Sequence, residues 1–198
     1  FLESLVFGGG TMLRLCHELN RYSADLDFWF IKKVQAKSFF ERLKEFLAAS
    51  YEVTDAQIKF YTLLIEVRSP HYPRRLKVEI RRGLKDCDFE ERIAFCKYAT
   101  RQVILSTHTL EQTLKNKIDA ALDRKDIRDC FDIEFILRRG VPLKINGKKR
   151  VRLLELIEGF KPNDYKVTLG SLLDEETRAY YAQKGFVYFQ DAVRNSLK

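Results

Sequence analysis

Hydrophobic and polar positions follow two rhythms along this chain, with a mixture of both up to about residue 105 and a helical rhythm after it. Ser4 to Phe7 is a short apolar run ending in Gly8-Gly9-Gly10. Thr11 to Leu19 predicts a helix, with Met12, Leu15, Cys16 and Leu19 on one stripe. Arg21 to Ala24 is polar and turn-like. Asp25 to Ile31 alternates as a strand does, with Leu26, Phe28 and Phe30 on one face and Asp25, Asp27 and Trp29 on the other. Ala36 to Ala49 predicts an amphipathic helix through Phe39, Phe40, Leu43, Phe46 and Leu47. Tyr51 to Ile58 and Phe60 to Val67 are rich in aromatic and β-branched residues and predict strands. Ser69 to Arg74 holds two prolines and predicts a loop. In Arg75 to Arg81 the apolar Leu76, Val78 and Ile80 alternate with Arg75, Lys77, Glu79 and Arg81.

From Thr109 the period is helical. Thr109 and Gln112 have capping-box spacing, and Leu110, Leu114, Ile118 and Ala121 form a stripe. A second helix is expected from Asp126 to Arg138, stopping near Gly140 and Pro142. Two or more further helices are expected in the remainder. The fold class predicted is therefore α/β, with a core over residues 1–105 followed by a mostly helical lobe over 106–198.

Composition narrows the class without naming a chemistry. The 198 residues suffice for one sizeable core or a two-lobed domain. No apolar run approaches the roughly 20 residues that span a bilayer. The sequence opens on Phe1 inside a strand-like segment, as expected for a piece of a longer chain. Cys16, Cys87, Cys96 and Cys130 lie far apart without a C-x-x-C pair, so reduced thiols and a cytoplasmic location are expected, not a disulfide framework or zinc site. His17, His71 and His108 show no ligand spacing. Net charge is +8, which suits a polyanionic partner. The charge is even, with 18 basic and 14 acidic residues on each side of Leu105. Only Arg138 to Arg152 stands out, with seven basic residues and no acid.

The candidate chemistry lies in an order: glycine run, helix, Asp-x-Asp strand, then a carboxylate on a later strand. Gly8-Gly9-Gly10-Thr11 joins a strand to a helix. Glycines admit close backbone approach, and a helix N-terminus favours an anion. No G-K-[ST] follows, so the run is not a P-loop. Leu13 takes the place of the last glycine of a dinucleotide fingerprint. Asp25 and Asp27 project from one strand face, with Cα atoms roughly 6.5–7 Å apart. Hard cations prefer such oxygen ligands, and Mg²⁺ keeps coordination positions for substrate phosphates. A pair of ions about 3.5–4 Å apart clamps the attacking and leaving oxygens of a phosphoryl displacement. Glu79, on the polar face of its strand, is the candidate third ligand and proton acceptor; the competing reading is an ion pair with its basic neighbours.

The stretches Gly8-Gly9-Gly10-Thr11-Met12-Leu13-Arg14-Leu15 and Arg21-Tyr22-Ser23-Ala24-Asp25-Leu26-Asp27-Phe28 closely resemble the AbiEii/AbiGii-type toxins of the nucleotidyltransferase superfamily. Lys117, Ala120, Ala121 and Arg124, followed by Arg128-Asp129-Cys130-Phe131-Asp132-Ile133, resemble that family's later motifs. The likeness spans about residues 5–137. It implies a nucleotidyltransferase-like mixed sheet with flanking helices, and transfer of a nucleotide from a nucleoside triphosphate to an acceptor, RNA or tRNA among them. It also implies a toxin role in a toxin–antitoxin or phage-defence system, and a cognate antitoxin.

The residues expected at the nucleotide are Gly9, Gly10, Thr11, Arg21, Ser23, Lys117, Arg124, Arg128 and Asp129. Asp25, Asp27 and Glu79 are expected to be catalytic and to hold Mg²⁺ or Mn²⁺. Lys117 and Arg124 share a helix face and suit triphosphate oxygens, with an interhelical salt-bridge cluster as the competing reading. Arg21 and Ser23 are expected to order the loop before the Asp-x-Asp strand. The alternatives carried forward are a nucleotidyltransferase for a small molecule and an inactive nucleotide-binding module. A glycosyltransferase needs a larger nucleotide fold than this core supplies, and in a haloacid-dehalogenase phosphatase Phe28-Trp29 would stand where threonine belongs.

Overall fold

The computed structural model describes residues 1–96 and 98–196. The chain divides into two compact units. The first comprises Phe1–Glu18 and Ser23–Thr109, the second Leu19–Tyr22 and Leu110–Lys198.

The described part of the first unit is built on seven strands: β1 (Leu5–Gly8), β2 (Leu26–Phe30), β3 (Glu52–Ile58), β4 (Thr62–Arg68), β5 (Arg75–Arg81), β6 (Phe89–Ala94) and β7 (Val103–His108). They form one mixed sheet in the order β3-β4-β5-β2-β1-β7-β6. β2 runs antiparallel to β1 and parallel to β5, and β1 is parallel to β7. Two helices accompany the sheet, α1 (Gly9–His17) and α2 (Ala36–Ala48).

Register gives the sheet its two faces. Leu5 pairs with Phe30, Phe28 with Ile80, and Ile80 with Leu63. Paired residues on neighbouring strands point the same way, so these side chains share a face. Phe39, Phe40 and Leu43 of α2 bury against it together with Ile65, Val67 and Val78. Each such aliphatic or aromatic side chain contributes about 1.5–3 kcal/mol by leaving water. Phe7 stacks on Phe28 at 5.0 Å between centroids, and Phe30 meets Phe39 edge-on at 5.1 Å. The opposite face carries Gly8, Asp27, Trp29, Glu79 and Arg81.

The sequence expectations differ from this unit in three places. β6 and β7 were not anticipated: β6 is an edge strand of mixed polarity, and β7 passes from exposed Val103 and Ile104 to buried Thr107 and His108. α1 begins at Gly9 and ends at His17, where Glu18 takes a left-handed conformation (φ 62°) and closes the last turn. Its fully buried apolar residues are Met12 and Leu13, whereas Leu15 and Cys16 are only partly covered.

The second unit contains α3 (Leu110–Arg124), α4 (Ile127–Arg138), α5 (Gly147–Glu158), α6 (Glu175–Lys184) and α7 (Val187–Asn195), with a short π-helical turn at Asp164–Leu169. Side-chain N-caps start three of the helices: Asp126, Asn146 and Asp174 accept from the amides of Arg128, Lys149 and Thr177. α4 is the central helix, with Ile127, Cys130, Phe131, Ile133, Ile136 and Leu137 all buried. Glu134 is buried among them and fully partnered. It accepts from Tyr181 Oη (2.9 Å), the Phe189 amide (3.1 Å) and Arg138 (2.9 Å). No helix among the described residues is long and apolar enough to cross a membrane.

Candidate active site

The acidic face of the first unit starts from the turn out of β1. Gly9 has φ +74°, and a Cβ there would stand 2.0 Å from Asp27 Oδ2. Only glycine satisfies both conditions, the left-handed backbone and the missing volume. Gly8 has extended backbone and is constrained by volume alone: a Cβ there would stand 2.6 Å from His108 Nδ1. The backbone therefore passes directly beside the Asp27 carboxylate, at the N-terminus of α1, where amide dipoles favour an anion.

Pairing across the sheet sets the carboxylates. Asp27 lies opposite Gly8 on β1 and opposite Glu79 on the parallel strand β5. Asp27 and Glu79 thus stand side by side on one face, about one interstrand spacing of 4.7–4.9 Å apart in the backbone. Glu79 is half-buried, and its other neighbour in register is Leu64, an apolar residue. It makes no ion pair among the described residues. Arg75, by contrast, pairs with Glu66 at 2.8 Å.

Asp25 precedes β2 by one residue and is exposed. Its carbonyl accepts a 2.6 Å hydrogen bond from Thr11 Oγ1, which also lies 3.0 Å from Ser23 Oγ. Arg14 Nη1 donates to the Ser23 carbonyl at 3.1 Å. Thr11 and Ser23 therefore tie α1 to the entry of β2 and fix where the Asp-x-Asp segment begins. Thr11 is buried and spends its hydroxyl on this tie.

Asp25, Asp27 and Glu79 do not converge into a three-ligand cage, and among the described residues no cluster of three metal-ligating side chains forms. The donor set still suits Mg²⁺, which is commonly held by one or two carboxylates together with water and substrate phosphates. Asp27 and Glu79, with Asp25 at the strand entry, are the residues that would hold it. The cysteines offer no competing centre: all four are free thiols. Burial raises the Cys16 pKa to about 11 and pushes the Cys130 thiol up further.

His108 and the cationic partners of Trp29 escaped the sequence reading. His108 is buried, meets Trp29 edge-on at 4.5 Å, and has no partner for Nε2 among the described residues. Burial, reinforced by the Lys85 charge, lowers its pKa to about 4, so the ring is neutral near pH 7. Trp29, one alternation beyond Asp27, holds the Arg81 guanidinium at 5.2 Å and the Lys85 ammonium at 5.0 Å from its ring centre. Alternation placed Trp29 on the face of Asp27, but only register could add Arg81 and His108.

The remaining predicted residues assemble within the second unit as an ion network. Lys117 Nζ lies 2.9 Å from Asp129 Oδ1 and 2.6 Å from Asp132 Oδ2. Arg21 grips Asp132 with two bonds of 2.6 Å. Arg124 pairs with Asp129 at 2.7 Å while remaining more than half exposed. Arg128 pairs with Asp126. Asp132 is fully buried and Asp129 nearly so. Burial by itself would lower the Lys117 pKa, but Asp132 and Asp129 raise it above the ordinary lysine value. Burial likewise opposes ionisation of Asp132, and Lys117 and Arg21 override it, holding that carboxyl below its ordinary value. The salt-bridge cluster anticipated as the competing reading is thus present. Its three cations face two anions, and the surplus positive charge is most exposed at Arg124.

Three basic residues of the stretch from Arg138 to Arg152 are already engaged. Arg138 pairs with Glu134 and stacks on Tyr188 at 4.3 Å. Lys149 pairs with Asp119 at 2.6 Å, and Arg152 donates to the Leu122 carbonyl.

Comparison with known proteins adds three solved structures. A Helicobacter pylori protein assigned as a nucleotidyltransferase matches with a TM-score of 0.59 and 23% identity, over 98% of this chain and 88% of that one. JHP933 from Helicobacter pylori matches with a TM-score of 0.57 and 22% identity, over 98% and 85%. MenT4, a nucleotidyltransferase toxin from Mycobacterium tuberculosis, matches with a TM-score of 0.53 and 18% identity, over 94% and 75%. At these identities the likeness is one of fold. No curated protein sequence matches the chain. The family model described as nucleotidyl transferase AbiEii toxin, type IV toxin–antitoxin system, matches residues 1–184. With nearly the whole sequence so matched, the chain belongs to the AbiEii nucleotidyltransferase toxin family.

Proposed function

We propose that the chain transfers a nucleoside monophosphate from a nucleoside triphosphate, with Mg²⁺ or Mn²⁺, to an RNA acceptor such as tRNA, and that it does so as a toxin held in check by a cognate antitoxin. The observation that carries the catalytic part is the side-by-side placement of Asp27 and Glu79 on adjacent parallel strands, with the Gly9 backbone against the Asp27 carboxylate. In this reading an acceptor hydroxyl oxygen bonds to the α-phosphorus and the bond from that phosphorus to the bridging oxygen breaks. Pyrophosphate leaves, and Glu79 takes the hydroxyl proton. The amides of Gly9 and Gly10 face the phosphates at the start of α1. Thr11 and Ser23 hold Asp25 and Asp27 in place. The cation, when bound, would neutralise charge developing on the phosphoryl oxygens.

Lys117 and Arg124 are proposed to attract the triphosphate, since their network carries more positive than negative charge. Arg128 and Asp129 orient that network, and Arg21 orders residues 19–22 through Asp132. The description of the matched family as a toxin of a type IV toxin–antitoxin system supports the toxin role and the antitoxin partner. Net charge of +8 supports a polyanionic acceptor.

The test is incubation of the protein with Mg²⁺ and each α-labelled nucleoside triphosphate, offering total RNA, protein and small metabolites as separate acceptors. Label is expected in RNA and absent with Asp27→Ala. Label confined to the small metabolites would replace the RNA reading with a small-molecule nucleotidyltransferase, and no label in any pool with nucleotide still bound would favour the inactive module.

A further inference from the structure

We infer that a strip of aromatic and cationic side chains on the first unit, running from half-buried Trp29 and exposed Arg81 to the exposed rings of the β3–β4 turn, binds the single-stranded end of the nucleic-acid acceptor. The inference rests on the transfer reading above and names the surface that would present the acceptor.

Register aligns the strip. Trp29 on β2 pairs with Arg81 on β5, and Arg81 pairs with Thr62 at the start of β4. Tyr61 and Phe60 follow at the turn. This row lies one strand alternation, roughly 7 Å, beyond the row of Asp27 and Glu79. Both rows are on the same face, so Trp29 and Arg81 are the next side chains along the sheet from the carboxylates.

The turn is built to hold its rings outward. Arg82 Nη1 donates to the carbonyls of Lys59 (2.8 Å) and Phe60 (3.3 Å), and the Arg82 amide donates to the Tyr61 carbonyl (2.9 Å). The Lys59 amide bonds to the Thr62 carbonyl at 2.8 Å. Three carbonyls of the turn are thereby occupied by Arg82, the residue after β5, which leaves little freedom for the turn to fold its rings inward. Phe60 and Tyr61 meet edge-on at 4.6 Å and are 80% and 75% exposed.

Charge selects the occupant. Lys59, Arg81, Arg82 and Lys85 are all exposed and border these rings. None of the four forms a salt bridge among the described residues. Arg81 and Lys85 instead rest on the Trp29 ring. Aromatic faces interleaved with uncompensated cations fit a chain of alternating bases and phosphates. The rings stack bases with little regard to sequence, and the cations follow the backbone. The seven basic residues of 138–152 offer a weaker case, because Arg138, Lys149 and Arg152 are already engaged.

Trp29 is the only tryptophan of the chain, so its emission reports on the strip directly. Single-stranded RNA and DNA decamers, a duplex, and poly-glutamate are titrated against the full chain at several salt concentrations. Both single strands are expected to quench Trp29 emission, with affinity falling steeply as salt rises. A Phe60→Ser/Tyr61→Ser double variant should bind the decamers about tenfold more weakly. Arg81→Gln/Lys85→Gln should weaken binding similarly and flatten the salt slope. Both pairs are exposed, so melting curves that overlay wild type verify the fold; if the first pair melts early, Tyr61→Ser alone replaces it.

Wild-type-like decamer binding by both strip variants overturns the inference, most clearly if Lys148→Gln/Lys149→Gln/Arg150→Gln loses binding instead. Poly-glutamate binding as tight as the decamers overturns the nucleic-acid assignment. RNA labelling measured in parallel separates the two proposals. Strip variants that label RNA as wild type does sink the strip alone, whereas a wild type that neither binds nor labels nucleic acid sinks the RNA acceptor and the strip with it.

Discussion

Substituting Gly9 by alanine tests the candidate site through its most constrained position. Two costs add. The backbone at φ +74° is left-handed, which costs an L-residue about 1–2 kcal/mol. The new methyl group would also stand 2.0 Å from Asp27 Oδ2, whereas ordinary contact begins near 3.4 Å, so the carboxylate oxygen must retreat by about 1.4 Å. The strain alone should lower the melting temperature by about 2–8 °C, since 1 kcal/mol corresponds to about 2–4 °C in a chain of this length. The retreat matters more for function: a displacement near 1 Å at a reacting centre costs about 100-fold in rate. Label transfer should therefore fall by about 100-fold or more while a cooperative melt remains. Mg²⁺-dependent heat of triphosphate binding should fall with it. Gly83→Ala is the internal control. It meets nothing within 4 Å, so both its melt and its transfer rate should match wild type. A Gly9→Ala protein with wild-type melting temperature and wild-type transfer would refute the reasoning, because it would mean that Asp27 does not depend on that approach.

Asp25→Ala and Asp27→Ala should each abolish label transfer with a cooperative melt retained, and near-normal transfer by either would remove that residue from the site. Lys117→Met should cost about 3–5 kcal/mol in urea unfolding, because Asp132 and Asp129 would lose a shared buried partner; unchanged stability with weakened triphosphate binding would show instead that the lysine serves the nucleotide alone. The same network sets a pH window. The depressed Asp132 pKa contributes stability that is complete above the ordinary carboxyl value of 3.8 and is lost as pH falls through the lower folded value. The raised Lys117 pKa contributes stability that is complete below the ordinary lysine value of 10.5 and is lost as pH rises through the higher folded value. Acid unfolding of Lys117→Met should accordingly begin at a higher pH than in wild type. Glu134→Ala should destabilise by about 3–5 kcal/mol, because Tyr181, the Phe189 amide and Arg138 all lose their acceptor; a loss below about 1 kcal/mol would argue against this three-partner arrangement.

Local pattern determined much of the architecture. The period-two alternation of Arg75 to Arg81 coincides with β5 residue for residue, and the opposed faces of Leu26–Phe28–Phe30 and Asp27–Trp29 are those of β2. Asp126 caps α4, and that helix ends at Arg138 as the glycine and proline beyond it predict. These features depend on backbone geometry and on neighbours a few residues away, which a sequence displays directly. The glycine run and the Asp-x-Asp spacing were legible for the same reason.

Tertiary structure decided which of these pieces meet. That Glu79 stands beside Asp27 follows from the parallel register of β2 and β5, whose strands are separated in sequence by a helix and a hairpin. Why Gly8 and Gly9 must be glycine is explained by His108 and Asp27, whose approach no local pattern encodes. β6 and β7 were missed because an edge strand of mixed polarity and a strand passing from exposed to buried residues leave no clean alternation. The fate of the charges was equally hidden. Lys117 and Arg124 share a helix face, but only the packing of α3 against α4 shows that Asp129 and Asp132 meet them. The physical reason is common to all these cases. Periodicity states which way a side chain points, whereas register, burial and charge compensation depend on residues brought together from distant parts of the chain.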